Sequence, residues 1–107
     1  MNTSRFISKS EYMKHIEKNR INILNQFTKD VIKIVKNEIQ IAMDSNISDK
    51  TLITITIPYK YEDLVDEYKR IVTELFDKER EWTIITPNNP ITLRRGNFLV
   101  FQIQVKS

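Results

Sequence analysis

The stretch Thr51-Leu-Ile-Thr-Ile-Thr-Ile57 decides the fold, and Pro58 follows it directly. Isoleucines at 53, 55 and 57 alternate with threonines at 54 and 56, which is the period of a strand with one buried face. A buried face needs an apolar layer packed against it. The sequence on either side of this stretch therefore has to supply amphipathic helices.

A long helix is predicted before this strand. Ser8 and Glu11 have the spacing of a capping box, in which the Ser8 hydroxyl accepts the Glu11 amide proton. Apolar residues then recur at helical spacing to about residue 43. Such a helix is about 50 Å long, whereas a seven-residue strand spans about 23 Å. The helix therefore either overhangs its sheet or breaks between Asn19 and Asn22.

A second helix is predicted for residues 61–79, whose apolar residues follow the 3.6-residue period. Residues 82–86 and 98–105 are predicted strands, and residues 91–94 form a short strand or an ordered loop. The order is α-β-α-β-β in a single domain of residues 1–107. We expect an α+β two-layer sandwich, with both helices on one face of a mixed three-stranded sheet, or a four-stranded one if residues 91–94 pair. With the first and last strands outermost, their Thr and Gln residues leave the other face polar.

Composition argues against most catalytic chemistry. The 107 residues include no cysteine, one glycine and one histidine. Thiolate chemistry and Cys-based metal sites are thereby excluded, and a glycine-rich phosphate loop cannot be built. His15 is expected on the helix surface. We expect no enzymatic activity, no cofactor and no metal. Without a signal peptide or a membrane span, a cytoplasmic location is expected.

One edge of the predicted sheet gathers loops that could bind a ligand. If the strands at 53–57 and 82–86 are parallel, the loops that follow them share an edge with the tip of the last hairpin. Aromatic and basic side chains there could grip phosphate or stack on bases. The alternative is an ordinary solvated rim. The candidate binding residues are Tyr59, Lys60, Tyr61, Asn88, Arg94 and Arg95.

Four carboxylates open the second helix, at positions 62, 63, 66 and 67. They could bind a cation or act as an acid–base pair. The interpretation we favour is that they complement the helix dipole on a solvated face. One straight helix cannot surround an ion without ligands from another segment.

The overhanging part of the first helix carries apolar residues that need a partner. A second copy of the chain is the simplest one. The candidate residues for self-association are Ile16, Ile21, Ile23 and Leu24. The first hypothesis is therefore a non-enzymatic interaction module that forms a homo-oligomer or binds another protein. The alternative is a small nucleic-acid-binding protein that uses the loop from Tyr59 to Tyr61 and the hairpin tip at Arg94 and Arg95, which a net charge of +3 permits.

Two resemblances accompany these patterns. The order of elements resembles that of small accessory proteins of bacteriophages: a long N-terminal helix, an Ile-rich strand, an amphipathic helix, a strand that begins at Trp82, and a final alternating strand. Glu81 stands where such proteins often have glycine. This resemblance implies a virion component or an inhibitor of a host or defence protein. Residues 8–107 also resemble, in topology, Alba-like proteins and the C-terminal domain of a bacterial translation initiation factor, without the first strand. That resemblance implies nucleic-acid contact through Arg94 and Arg95.

Overall fold

The alternating isoleucines form a strand with one buried face, as predicted. The computed structural model describes residues 5–85, 91–92 and 96–106. Strand β1, Ile53–Pro58, pairs antiparallel with the last strand, Phe98–Val105, and places Ile55 opposite Phe101. Both side chains are almost completely buried. The threonines between the isoleucines are exposed, so the two faces of β1 differ as the alternation requires.

The last strand lies in the middle of the sheet. Strand β2, Trp82–Ile84, and strand β3, Ile91–Thr92, both pair with it, so in chain order it is β4, Phe98–Val105. The expected outer position of this strand is therefore wrong. The described pairings are all antiparallel, and the sheet is not mixed, because β4 separates β1 from β2. Its core-facing residues Leu99, Phe101 and Ile103 are at most 1% exposed, which suits a strand paired on both edges.

Two helices cover one face of this sheet, and the α+β class is confirmed. Helix α1, Lys9–Ser45, is continuous and does not break between Asn19 and Asn22. The Ser8 hydroxyl accepts the Glu11 amide proton at 3.1 Å, as the capping pattern predicts. Helix α2, Val65–Asp77, follows a single 3-10 turn at Glu62–Leu64. The core cluster consists of Phe27, Val31, Ile55, Ile57, Tyr59, Tyr68, Val72, Leu99, Phe101 and Ile103.

Helix α1 runs antiparallel to β1 and extends past its C-terminal end. Met43 lines a groove with Ile53 at the start of β1, whereas Ile23 lines another groove with Tyr59, just after β1 ends. Residues 9–19 are all exposed and extend about 16 Å beyond the layer. The molecule is accordingly elongated, with a radius of gyration of 18.2 Å, compared with about 13 Å for a compact domain of this size.

Replacing Ile55 by alanine tests whether this core holds the domain together. Ile55 is fully buried, so Ile55→Ala should lower the free energy of unfolding by about 2–5 kcal/mol. Ile47→Ala is the matched control, because Ile47 is fully exposed and its replacement should change stability by less than about 0.5 kcal/mol. Denaturant unfolding followed by circular dichroism measures both. Equal losses for the two variants would contradict the core as described.

Candidate functional site: the projecting arm and the sheet edge beneath it

The loop after β1 and the β3–β4 hairpin meet at one edge of the sheet. The Tyr59 amide donates a hydrogen bond to the carbonyl oxygen of Asn97 at 2.9 Å. Gly96, beside it, has φ +79°, a left-handed conformation that glycine adopts freely in tight turns. The start of α2 lies at the same edge, and α1 projects from it. Four segments of the chain therefore surround one region.

The predicted binding residues at this edge have different environments. Tyr59 is only 7% exposed, and its ring packs 5.4 Å from the ring of Tyr68, so it contributes to the core. Its hydroxyl has no hydrogen-bond partner among the residues that the structure describes. Lys60 is exposed and Tyr61 is 49% exposed, so both are accessible from solvent. Asn88, Arg94 and Arg95 lie outside the described residues.

A groove of about 320 Å³ runs between α1 and this loop. Ile23, Phe27 and Asp30 form its wall on the side of α1, and Tyr59 and Tyr61 form the opposite wall. Its lining is mainly apolar and aromatic. The groove adjoins the base of the projecting part of α1.

Tyr68 is the buried phenol behind this groove. Burial raises the pKa of Tyr68 above its ordinary value of 10.0, and a hydrogen bond from the Tyr61 backbone opposes this shift. Its ring is also 4.3 Å from that of Phe27 on α1. Tyr68 thus joins α2, α1 and the loop after β1, and its neutral form is the one that the fold favours.

We call residues 5–20 the arm. At about 100° per residue, Met13, Ile16 and Arg20 lie within about 40° of the direction in which Phe27 faces the core. The apolar stripe of α1 therefore continues onto the arm, with no strand or helix beneath it among the described residues. Ile16 is 42% exposed, Met13 is 53% exposed and Tyr12, at the edge of the same stripe, is 60% exposed.

Two of the predicted self-association residues are partly buried and two are exposed. Ile23 and Leu24 pack against the core and are partly buried. Ile16 belongs to the exposed stripe of the arm, whereas Ile21 is 49% exposed on a different side of the helix. Sequence reasoning missed Met13 as a member of the stripe. Its membership can be found from the sequence, by asking which residues before Phe27 face the same side of the helix at about 100° per residue.

The arm is basic and the region beside it is acidic. Residues 5–20 contain five Lys or Arg and two Asp or Glu, whereas residues 62–67 contain four Asp or Glu and no Lys or Arg. An ion pair of 2.7 Å between Arg20 and Glu67 joins the two segments at the base of the arm. His15 is exposed on the arm. The described residues contain no group of three His, Cys, Asp or Glu residues arranged to hold a metal ion.

Within the described part of the chain, neither helix is long and apolar enough to cross a membrane. The chain gives no significant match to a known family model, a curated protein or a solved structure. The functional argument therefore depends on the residues and geometry described above.

The raised pKa of Tyr68 predicts a stability that depends on pH in the alkaline range. The unfolded chain ionises this phenol near pH 10, so its contribution to stability is complete below that pH and is lost as the pH rises through the folded-state pKa. Tyr68→Phe should remove this part of the pH dependence. Urea unfolding of both proteins across the alkaline range measures it, with the exposed Tyr12→Phe as control. Parallel profiles for wild type and Tyr68→Phe would contradict the prediction.

Proposed function

We propose that this protein is a non-enzymatic interaction module that self-associates through its arm. The observation that carries the proposal is the continuation of the core-facing stripe of α1 beyond the sheet, where Met13 and Ile16 face in the same direction as Phe27 but are about half exposed. Apolar residues aligned in this way on a projecting helix are typical of a surface that a partner covers.

The proposal gives these residues no catalytic role. The carboxylates at Glu62, Asp63 and Asp66 are exposed at the start of α2, where they complement the helix dipole. His15, the only histidine, is exposed on the arm. The proposal therefore assigns the carboxylates to complementation of the helix dipole rather than to acid–base chemistry.

The resemblance to bacteriophage accessory proteins suggests what kind of protein the module serves or binds. Such proteins act as virion components or as inhibitors of host or defence proteins, and both roles need a protein surface and no catalytic centre. An arm that associates with a second copy is suited to either role. The proposal places the protein in the host cytoplasm or in the virion.

The stripe on the arm can be tested directly. Wild-type protein should show a mass that rises with concentration in light scattering coupled to size-exclusion chromatography. Ile16→Asp should weaken this association at least about tenfold, because a carboxylate would be buried where an apolar side chain packed. His15→Asp is the matched control, since it introduces the same group on another side of the same turn, and it should have little effect.

Two results would contradict the proposal. One is a strict monomer at the highest concentration that can be reached. The other is equal weakening by Ile16→Asp and His15→Asp, because that result would locate association outside the stripe. Circular dichroism of both variants confirms that the helix is retained.

A second candidate function is nucleic-acid binding at the sheet edge. The hydrogen bond from Tyr59 to Asn97 favours it, because this bond holds Lys60 and Tyr61 beside the hairpin whose sequence carries Arg94 and Arg95. With Tyr59 in the core, Tyr61 is the aromatic residue of this loop that is accessible for stacking.

Salt-dependent retention on DNA or RNA tests this candidate. If the edge binds phosphates, the Arg94→Ala/Arg95→Ala variant should bind more weakly, with a shallower dependence of log K on log salt. Lys36→Ala is the control, because Lys36 is exposed on a part of α1 that lies away from this edge. Retention that is independent of salt and unchanged in the double variant would exclude the candidate.

A further inference from the structure

The basic tip of the arm cannot reach the acidic start of its own α2. Lys9 lies eleven residues before Arg20, or about 16 Å along the helix. Arg20 is the arm residue that pairs with Glu67 within the chain. Arg5 and Lys9 are exposed at the far end, while Glu62 and Asp63 are exposed beside the base. Each chain therefore carries two complementary charged patches separated by the length of the arm.

Lys9 lies on the same side of the helix as the apolar stripe. Its direction matches that of Phe27 at about 100° per residue, as do those of Met13 and Ile16 within about 40°. Lys14 and Lys18 point to the opposite side by the same measure. A partner that covers the stripe therefore contacts Lys9 as well, but leaves Lys14 and Lys18 in solvent.

From this arrangement we infer that two copies exchange arms, each arm lying along the exposed stripe of the other and reaching the acidic start of the other copy's α2. The inference rests on the proposed function and adds the docking site to it. The two arms then run antiparallel, so Met13 of one copy lies near Ile16 of the second copy. The basic tip of each arm lies beside the start of the second copy's α2, where Glu62, Asp63 and Glu67 supply the opposite charge.

A second copy fits this surface because both complementary patches belong to the same chain. In a dimer with two-fold symmetry, the basic patch of each copy contacts the acidic patch of the other, so every contact is made twice. The overlap of residues 9–20 spans about 16 Å, which is the separation between the basic tip and the acidic turn. A partner of uniform charge would satisfy one patch and be repelled by the other.

Charge reversal and restoration test the exchange. The first variant is Arg5→Glu/Lys9→Glu, the second is Glu62→Lys/Asp63→Lys, and the third combines all four substitutions. Each reversal alone should raise the dimer dissociation constant about tenfold, since like charges then face each other at both symmetric sites. The combined variant should return the constant to within about threefold of wild type. Lys14→Glu/Lys18→Glu is the control and should change it less than about twofold.

Sedimentation equilibrium at low ionic strength measures the dissociation constants, and circular dichroism checks the fold of each variant. A destabilised α2 in the Lys-substituted variant could not be repaired by changes in the arm, so restoration is specific to contact between the patches. A wild-type dimer that is insensitive to both reversals, or a combined variant that stays weak, overturns the exchange while self-association stands. A wild-type monomer overturns the exchange and the proposed function together.

Discussion

The mismatch between a 37-residue helix and a six-residue strand governs this structure. At their usual rises, α1 is about 55 Å long and β1 about 20 Å. One layer of side chains can cover the helix only where the sheet lies beneath it, so Phe27 and Val31 are its fully buried residues while residues 9–19 are exposed. The projecting arm and the elongated shape both follow from this difference in length.

The sheet is short and is organised around β4. The described strands all pair with β4, which spans eight residues, and β1 and β2 each cover part of its length. Leu99, Phe101 and Ile103 belong to the core cluster that also contains residues of both helices. On the opposite face Thr54 is exposed and its hydroxyl accepts a weak hydrogen bond from Gln102, at 3.4 Å. The described helices therefore pack on one face of the sheet, and Thr54 and Gln102 lie on the other, polar face.

The sequence was sufficient to predict the helices and strands but not which strands lie side by side in the sheet. Alternation in β1 and the cap at Ser8 are local signals, and both predicted the structure correctly. Strand order is different, because alternation shows that a face is buried without showing which strand lies alongside, so the central position of β4 was not predicted. The burial of Tyr59 did have a local signal. It continues the odd-numbered series of Ile53, Ile55 and Ile57 across Pro58, the last residue of β1.

Arg20 shows where the intramolecular core stops. It lies on the core-facing side of α1, between Leu24, which packs against the core, and Ile16, which is exposed. Its guanidinium pairs with Glu67 at 2.7 Å and is about 40% exposed, so the pair contributes little to stability. A charge at this position instead divides one apolar stripe into two. The stretch after Arg20 is covered by the chain's own sheet, whereas the stretch before it is exposed. Because the pair joins α1 to α2, sliding of one helix along the other would separate the guanidinium from its carboxylate, so the pair helps to fix the register of the two helices.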